Sequence, residues 1–172
     1  MTESTFMREF LVGSFRGLFL STWLGAALFF SFVVTQTAFA VLPSSQMAGA
    51  IVNETLTIIN YSGLVIGFVL LLTSFLSKST DFMVWIERAM FLVLSLCCAL
   101  SQFVVSAWMH GLRQQIDKPV DELPADDPFK KGFAELHDYS VILLAIAMTA
   151  ALIAYFLITR RIRKSYEYAG NN

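Results

Sequence analysis

The stretch YSVILLAIAMTAALIAYFLIT, residues 139–159, followed at once by RRIRK, residues 160–164, decides the fold. Its twenty-one residues include no Asp, Glu, Lys or Arg, and its apolar side chains run all the way round a helix. A helix apolar on every side has no face for water, so hydrocarbon is its natural solvent. At ~1.5 Å rise per residue it matches the ~30 Å core of a bilayer. The basic run behind it reads as a stop-transfer cluster that also attracts anionic lipid.

Working outward, residues 18–42, 56–76 and 86–109 repeat the pattern, with Glu87 and Arg88 as the only charges, both at the start of the third stretch. A charge at a helix centre costs at least ~2.5–3.5 kcal/mol, so its absence from four separate stretches is a strong signal. The expected fold is an all-α membrane protein, a four-helix transmembrane bundle forming one domain over residues 1–172. Its spans lie near 18–42, 56–76, 86–109 and 139–159, with an acidic loop over 111–138. Composition agrees: 56% of residues are hydrophobic and 15% charged, against ~25% charged in soluble domains. A net charge of -1 gives no electrostatic support for a nucleic-acid partner. Ala38-Phe39-Ala40 has the form of a signal-cleavage site, but the apolar stretch before it is longer than a signal core and reads as a retained span.

Orientation follows from counting Lys and Arg. Eight lie in the N-terminus (Arg8, Arg16), the second loop (Lys78, Arg88) and the C-terminus (Arg160, Arg161, Arg163, Lys164). Four lie in the third loop (Arg113, Lys118, Lys130, Lys131) and none in the first. The count puts both termini in the cytoplasm (N-in/C-in). Trp23 and Trp85 near the inner face and Trp108 near the outer face fit aromatic anchoring. Before the first span, Phe6, Phe10, Leu11 and Phe15 recur beside Arg8 and Arg16. They make either an interfacial amphipathic helix or an extension of the first span.

Small residues four apart let helix backbones approach closely. Gly63 and Gly67 are the clearest pair, and Ser21 with Gly25, Ser95 with Ala99 and Ala147 with Ala151 are weaker versions. Packing within the monomer is the first expectation for them. Cys97 and Cys98, adjacent and deep in an apolar stretch, read as small packing residues.

On this topology the intramembrane polar residues collect in the outer half: Gln36, Asn60, Tyr61, Gln102, Ser106, Tyr139 and Ser140, with His110 and His137 at helix ends. The inner half reads as more uniformly apolar. The outer cluster is either a pocket for a small polar molecule, metal or cofactor, or a hydrogen-bonded network fixing helix register. His110 and His137 flank one loop. Two such imidazoles bracket a haem iron, or with Met109 make a soft copper site. No Gly-rich phosphate loop, H-E-x-x-H or G-x-S-x-G is present, and the acidic third loop lacks the ligand spacing of a calcium loop.

Trp23-Leu24-Gly25-Ala26-Ala27-Leu28-Phe29-Phe30, then Phe39-Ala40-Val41-Leu42-Pro43, Ala48-Gly49 and Asn60-Tyr61-Ser62-Gly63, resemble the first half of the transmembrane protein 205-like family of unknown function. Arg88, His110-Gly111 and Leu136-His137-Asp138-Tyr139-Ser140 are similar to that family's outline in the second half. The resemblance implies four helices and, for bacterial members, the inner (cytoplasmic) membrane. A loose likeness of the family to copper-resistance membrane proteins keeps a metal role in view, and it supplies no catalytic residues.

Three functions compete. The leading one is a non-enzymatic membrane protein in the lipid bilayer, an accessory subunit beside other membrane-protein subunits. The second is a haem- or copper-binding redox component using His110 and His137. The third is a small-solute transporter, disfavoured by spans that lack mid-membrane charges and paired Gly/Pro breaks.

Overall fold

The computed structural model describes residues 3–75, 81–116, 120–124 and 126–170. The first helix runs Glu3–Phe29, loosens into a π-helical stretch at Phe30–Val34, and finishes as Thr35–Val41. The second is Ser45–Phe75. The third runs Phe82–Ala99, passes through a second π-helical stretch at Leu100–Val105, and ends as Ser106–Arg113. A 3₁₀ turn at Val120–Glu122 precedes the fourth, Pro128–Gly170. Among the described residues there is no strand, and all four helices are long and apolar enough to cross a membrane.

Helix ends follow local chemistry. The first helix stops at Val41, ahead of Pro43, because the residue before a proline is pushed out of helical geometry. Ser44 then caps the second helix: its Oγ accepts the Met47 N–H at 3.2 Å, and its carbonyl accepts the Ala48 N–H at 3.1 Å. The connection is therefore a tight turn, and residues 45–55 are helix rather than loop. A similar correction applies to the acidic loop expected over 111–138. The third helix holds to Arg113 and the fourth begins at Pro128. Asp127 Oδ1 accepts the Phe129 N–H at 2.8 Å, and a proline in the first helical position gives up no hydrogen bond there. At the N-terminus, the residues before the first span are one helix with it, so the extension is the arrangement found.

The four helices form a ring. The first packs on the second and fourth, and the third packs on the same two. Alternating directions bring both termini to one end, here the near end. The turn at 42–44, the end of the third helix and the start of the fourth lie at the far end. The interior is filled by Leu20, Trp23, Ala27 and Phe30 from the first helix, Ile59 and Leu70 from the second, Phe91, Leu94 and Cys98 from the third, and Leu144, Ala147, Ala151, Ala154 and Ile158 from the fourth.

Close approach of the second and third helices explains its two central glycines. A Cβ on Gly63 would come within 2.7 Å of both Cys98 Sγ and Trp23 Nε1. One on Gly67 would collide with Ser95 Oγ and sit 3.2 Å from the Phe91 carbonyl oxygen. Ala147 and Ala151 are buried as well. Ser21 and Gly25 behave differently: both are exposed, and no atom lies within 4 Å of a Cβ placed on Gly25. That pair faces away from the bundle.

Trp23 is not an interfacial anchor. It is 2% exposed and donates from Nε1 to the Ile59 carbonyl at 3.0 Å, across the space left by Gly63. An indole so placed buries its large apolar surface and still satisfies its single donor. Trp85 and Trp108 are exposed on the surface of the bundle.

Candidate functional site

The near end holds a buried ionic cluster. Glu87, one turn into the third helix, accepts from Arg16 of the first helix through Oε1 at 3.2 Å, and its Oε2 lies 3.2 Å from Arg161 of the fourth. Arg16 and Glu87 are 3% and 2% exposed, whereas the Arg161 side chain keeps about a third of its surface open. One carboxylate thus joins three helices. Arg16 Nε has no hydrogen-bond partner among the described residues. Next to Glu87, Arg88 donates to the Ser74 carbonyl at 3.0 Å, with its guanidinium carbon 4.7 Å from the Phe75 ring centre and 5.2 Å from that of Trp85. Arg88 therefore fixes the end of the second helix, where carbonyls lack intrahelical partners.

This cluster lies in the half of the bundle, at the termini, that the sequence suggests to be the more uniformly apolar. Arg16 and Arg161 read from the sequence as flanking charges that set orientation, and Glu87 as a charge at a span boundary. In the fold they converge. An ion in a low-dielectric setting is tolerated only when it is paired, and three helices meeting at one depth supply the pairs.

The polar residues expected in the outer half are dispersed between the middle of the bundle and its far end. Asn60 is buried and donates from Nδ2 to Ser101 Oγ at 3.0 Å, beside the π-helical stretch of the third helix. Ser101 was missed by the sequence reading because a serine costs little in a span and carries no distinctive signal. Tyr61 is exposed, meeting the Phe103 ring edge-on at 6.0 Å. Gln36 lies exposed on the first helix, while Gln102, Ser106 and Met109 are half-buried. Ser140 is buried and donates to the Leu136 carbonyl of its own helix at 3.1 Å. His110 and His137 are both exposed, at the end of the third helix and near the start of the fourth. Among the described residues no group of three His, Cys, Asp or Glu is placed to hold a metal ion.

What the far end does contain is a groove of about 560 Å³ between the third and fourth helices. Trp108, Gly111, Gly132, Glu135, Leu136 and Tyr139 are among its walls. Of the outer polar residues expected from sequence, Tyr139 alone lines it.

A family model described as a domain of unknown function, DUF4149, matches residues 18–118. The chain belongs to the DUF4149 family. The match takes in the first three spans, with Glu87, the Asn60–Ser101 pair and both central glycines, while Arg16 and Arg161 fall outside it. No curated protein and no solved structure matches the chain.

Proposed function

We propose that this DUF4149 chain is a non-enzymatic, multi-pass protein of the bacterial inner membrane, with both termini cytoplasmic. We further propose that it serves as an accessory subunit, docking on another membrane protein through the lipid-facing side of its first helix. The likeness to the transmembrane protein 205-like family belongs to the same reading. One observation carries it: the small-residue pairs are used in two different ways. Gly63, Gly67, Ala147 and Ala151 pack inside the bundle, whereas Ser21 and Gly25 face outward. Small-xxx-small faces are where membrane helices meet, and an outward one offers close backbone approach to a helix of another chain. The interior supports the same view, since the ion pairs and the Asn60–Ser101 bond hold helices to one another.

A photo-crosslinking residue at Thr22, exposed beside this face, tests the reading in intact membranes. The expected result is one defined adduct with a second membrane protein, abolished by Gly25→Ile while the melting temperature stays unchanged. An uncrosslinked monomer, or an adduct containing only this chain, overturns the accessory role.

A further inference from the structure

We infer that the far-end groove between the third and fourth helices binds a membrane lipid through an ammonium headgroup. Its position argues for an amphiphile. The apolar stretches of the two helices end at Met109 and begin at Tyr139. The groove, bounded by Ala107 and Tyr139 toward the apolar stretches and by Gly132 and Gln115 beyond them, straddles their ends, the level at which acyl chains would give way to headgroups. Its volume of about 560 Å³ is in the range of small-molecule sites. Trp108 and Tyr139 are 62% and 54% exposed, so it opens sideways toward lipid.

Its chemistry argues for a cation. Two aromatic rings offer electron-rich faces of the kind that hold ammonium groups. Glu135 adds a carboxylate that forms no ion pair among the described residues. None of the lining residues is a Lys or Arg, so nothing on the walls would attract a purely anionic headgroup. Gly111 keeps the floor low: a Cβ there would meet nothing within 4 Å, so any side chain would extend into open space. The His110 and His137 side chains are not among the walls, which separates this site from a metal centre built on them. It also lies on different helices from the partner-docking face, so the two proposals stand or fall separately.

The test uses full-length protein in maltoside micelles, titrated with short-chain phosphatidylethanolamine and with phosphatidylglycerol of the same chains, and bound lipid counted by native mass spectrometry. Phosphatidylethanolamine should bind about tenfold tighter, and Glu135→Gln should remove most of that preference without weakening phosphatidylglycerol binding. Trp108→Leu should weaken phosphatidylethanolamine binding in the same direction, which guards against a Glu135 variant that fails to fold. Equal binding of the two lipids, or an unchanged preference in both variants, overturns the proposal. So does competition by free ethanolamine as strong as by the lipid, which would mark a site for a soluble cation.

Discussion

Glu87 occupies the position where one side chain matters most. Removing one partner of a buried ion pair leaves the other charge desolvated, at a cost of ~3–5 kcal/mol. Glu87→Ala should therefore lower stability by about that much, measured by reversible unfolding in mixed micelles. Arg161→Ala should cost less, because its guanidinium is partly open to solvent and the Arg16–Glu87 contact survives. A loss for Glu87→Ala no larger than for Arg161→Ala would show that Arg16 finds water in the folded protein. Glycines give a second contrast. Gly67→Ala places a methyl against Ser95 and the Phe91 carbonyl, and overpacking of that kind costs ~1–3 kcal/mol. Gly25→Ala meets nothing and should stay within ~0.5 kcal/mol of the parent. At this scale the sequence was unevenly legible. Gly63 and Gly67 stood out, because four-residue spacing of glycine has few other uses in a span. The partners of Glu87 did not, because nothing local in the sequence says which residues of different helices meet at one depth. Trp23 was misread for a related reason: an indole near a span end fits an anchor and a core residue equally well until its neighbour's glycine is seen facing it.

Element boundaries rest on short polar signals. Asp127-Pro128 is a helix start in both respects, a capping carboxylate followed by a residue with no N–H to satisfy. The acidic, proline-containing run around it masks that signal and reads as loop. Asp127→Ala should cost ~1 kcal/mol and speed hydrogen exchange at Phe129 to Lys131, where hydrogen-exchange mass spectrometry would detect it. Unchanged exchange would mean that packing of the fourth helix, not its cap, sets where it starts. The π-helical stretches at Phe30–Val34 and Leu100–Val105 carry no proline or glycine. They were invisible to composition, since a wider turn registers in backbone hydrogen bonds such as Thr35 N–H to Phe30 O and Ser106 N–H to Ser101 O. Each falls some way before the end of a helix that runs from near to far, so both odd-numbered helices loosen in the same part of the bundle.

For the whole molecule, hydrophobic length was enough to count the spans, because each requires about 20 apolar residues and nothing in a small soluble domain imitates four of them. The ring order was beyond reach, as any pair of apolar helices is equally compatible by composition. The topology yields a labelling prediction. Cysteines introduced at Gln46 and Gln115 should react with an impermeant maleimide from one side of sealed vesicles, and one at Arg163 from the other. Native Cys97 and Cys98 are buried in the bundle and should stay unlabelled until the protein is unfolded. Reaction of Gln46 and Gln115 variants from opposite sides would break the four-span arrangement.

The carboxylate shared by Arg16 and Arg161 also has a timetable. During synthesis Arg16 leaves the ribosome first, Glu87 well after it, and Arg161 almost last. Until the final helix arrives, Glu87 has only one of its two ties, and the side of the bundle where the first and fourth helices will meet is still open to lipid. Those two arginines, far apart in the sequence, become the contacts that hold the finished ring together. A nascent chain stalled before the fourth helix should therefore look unfinished to the machinery that inspects newly inserted membrane proteins.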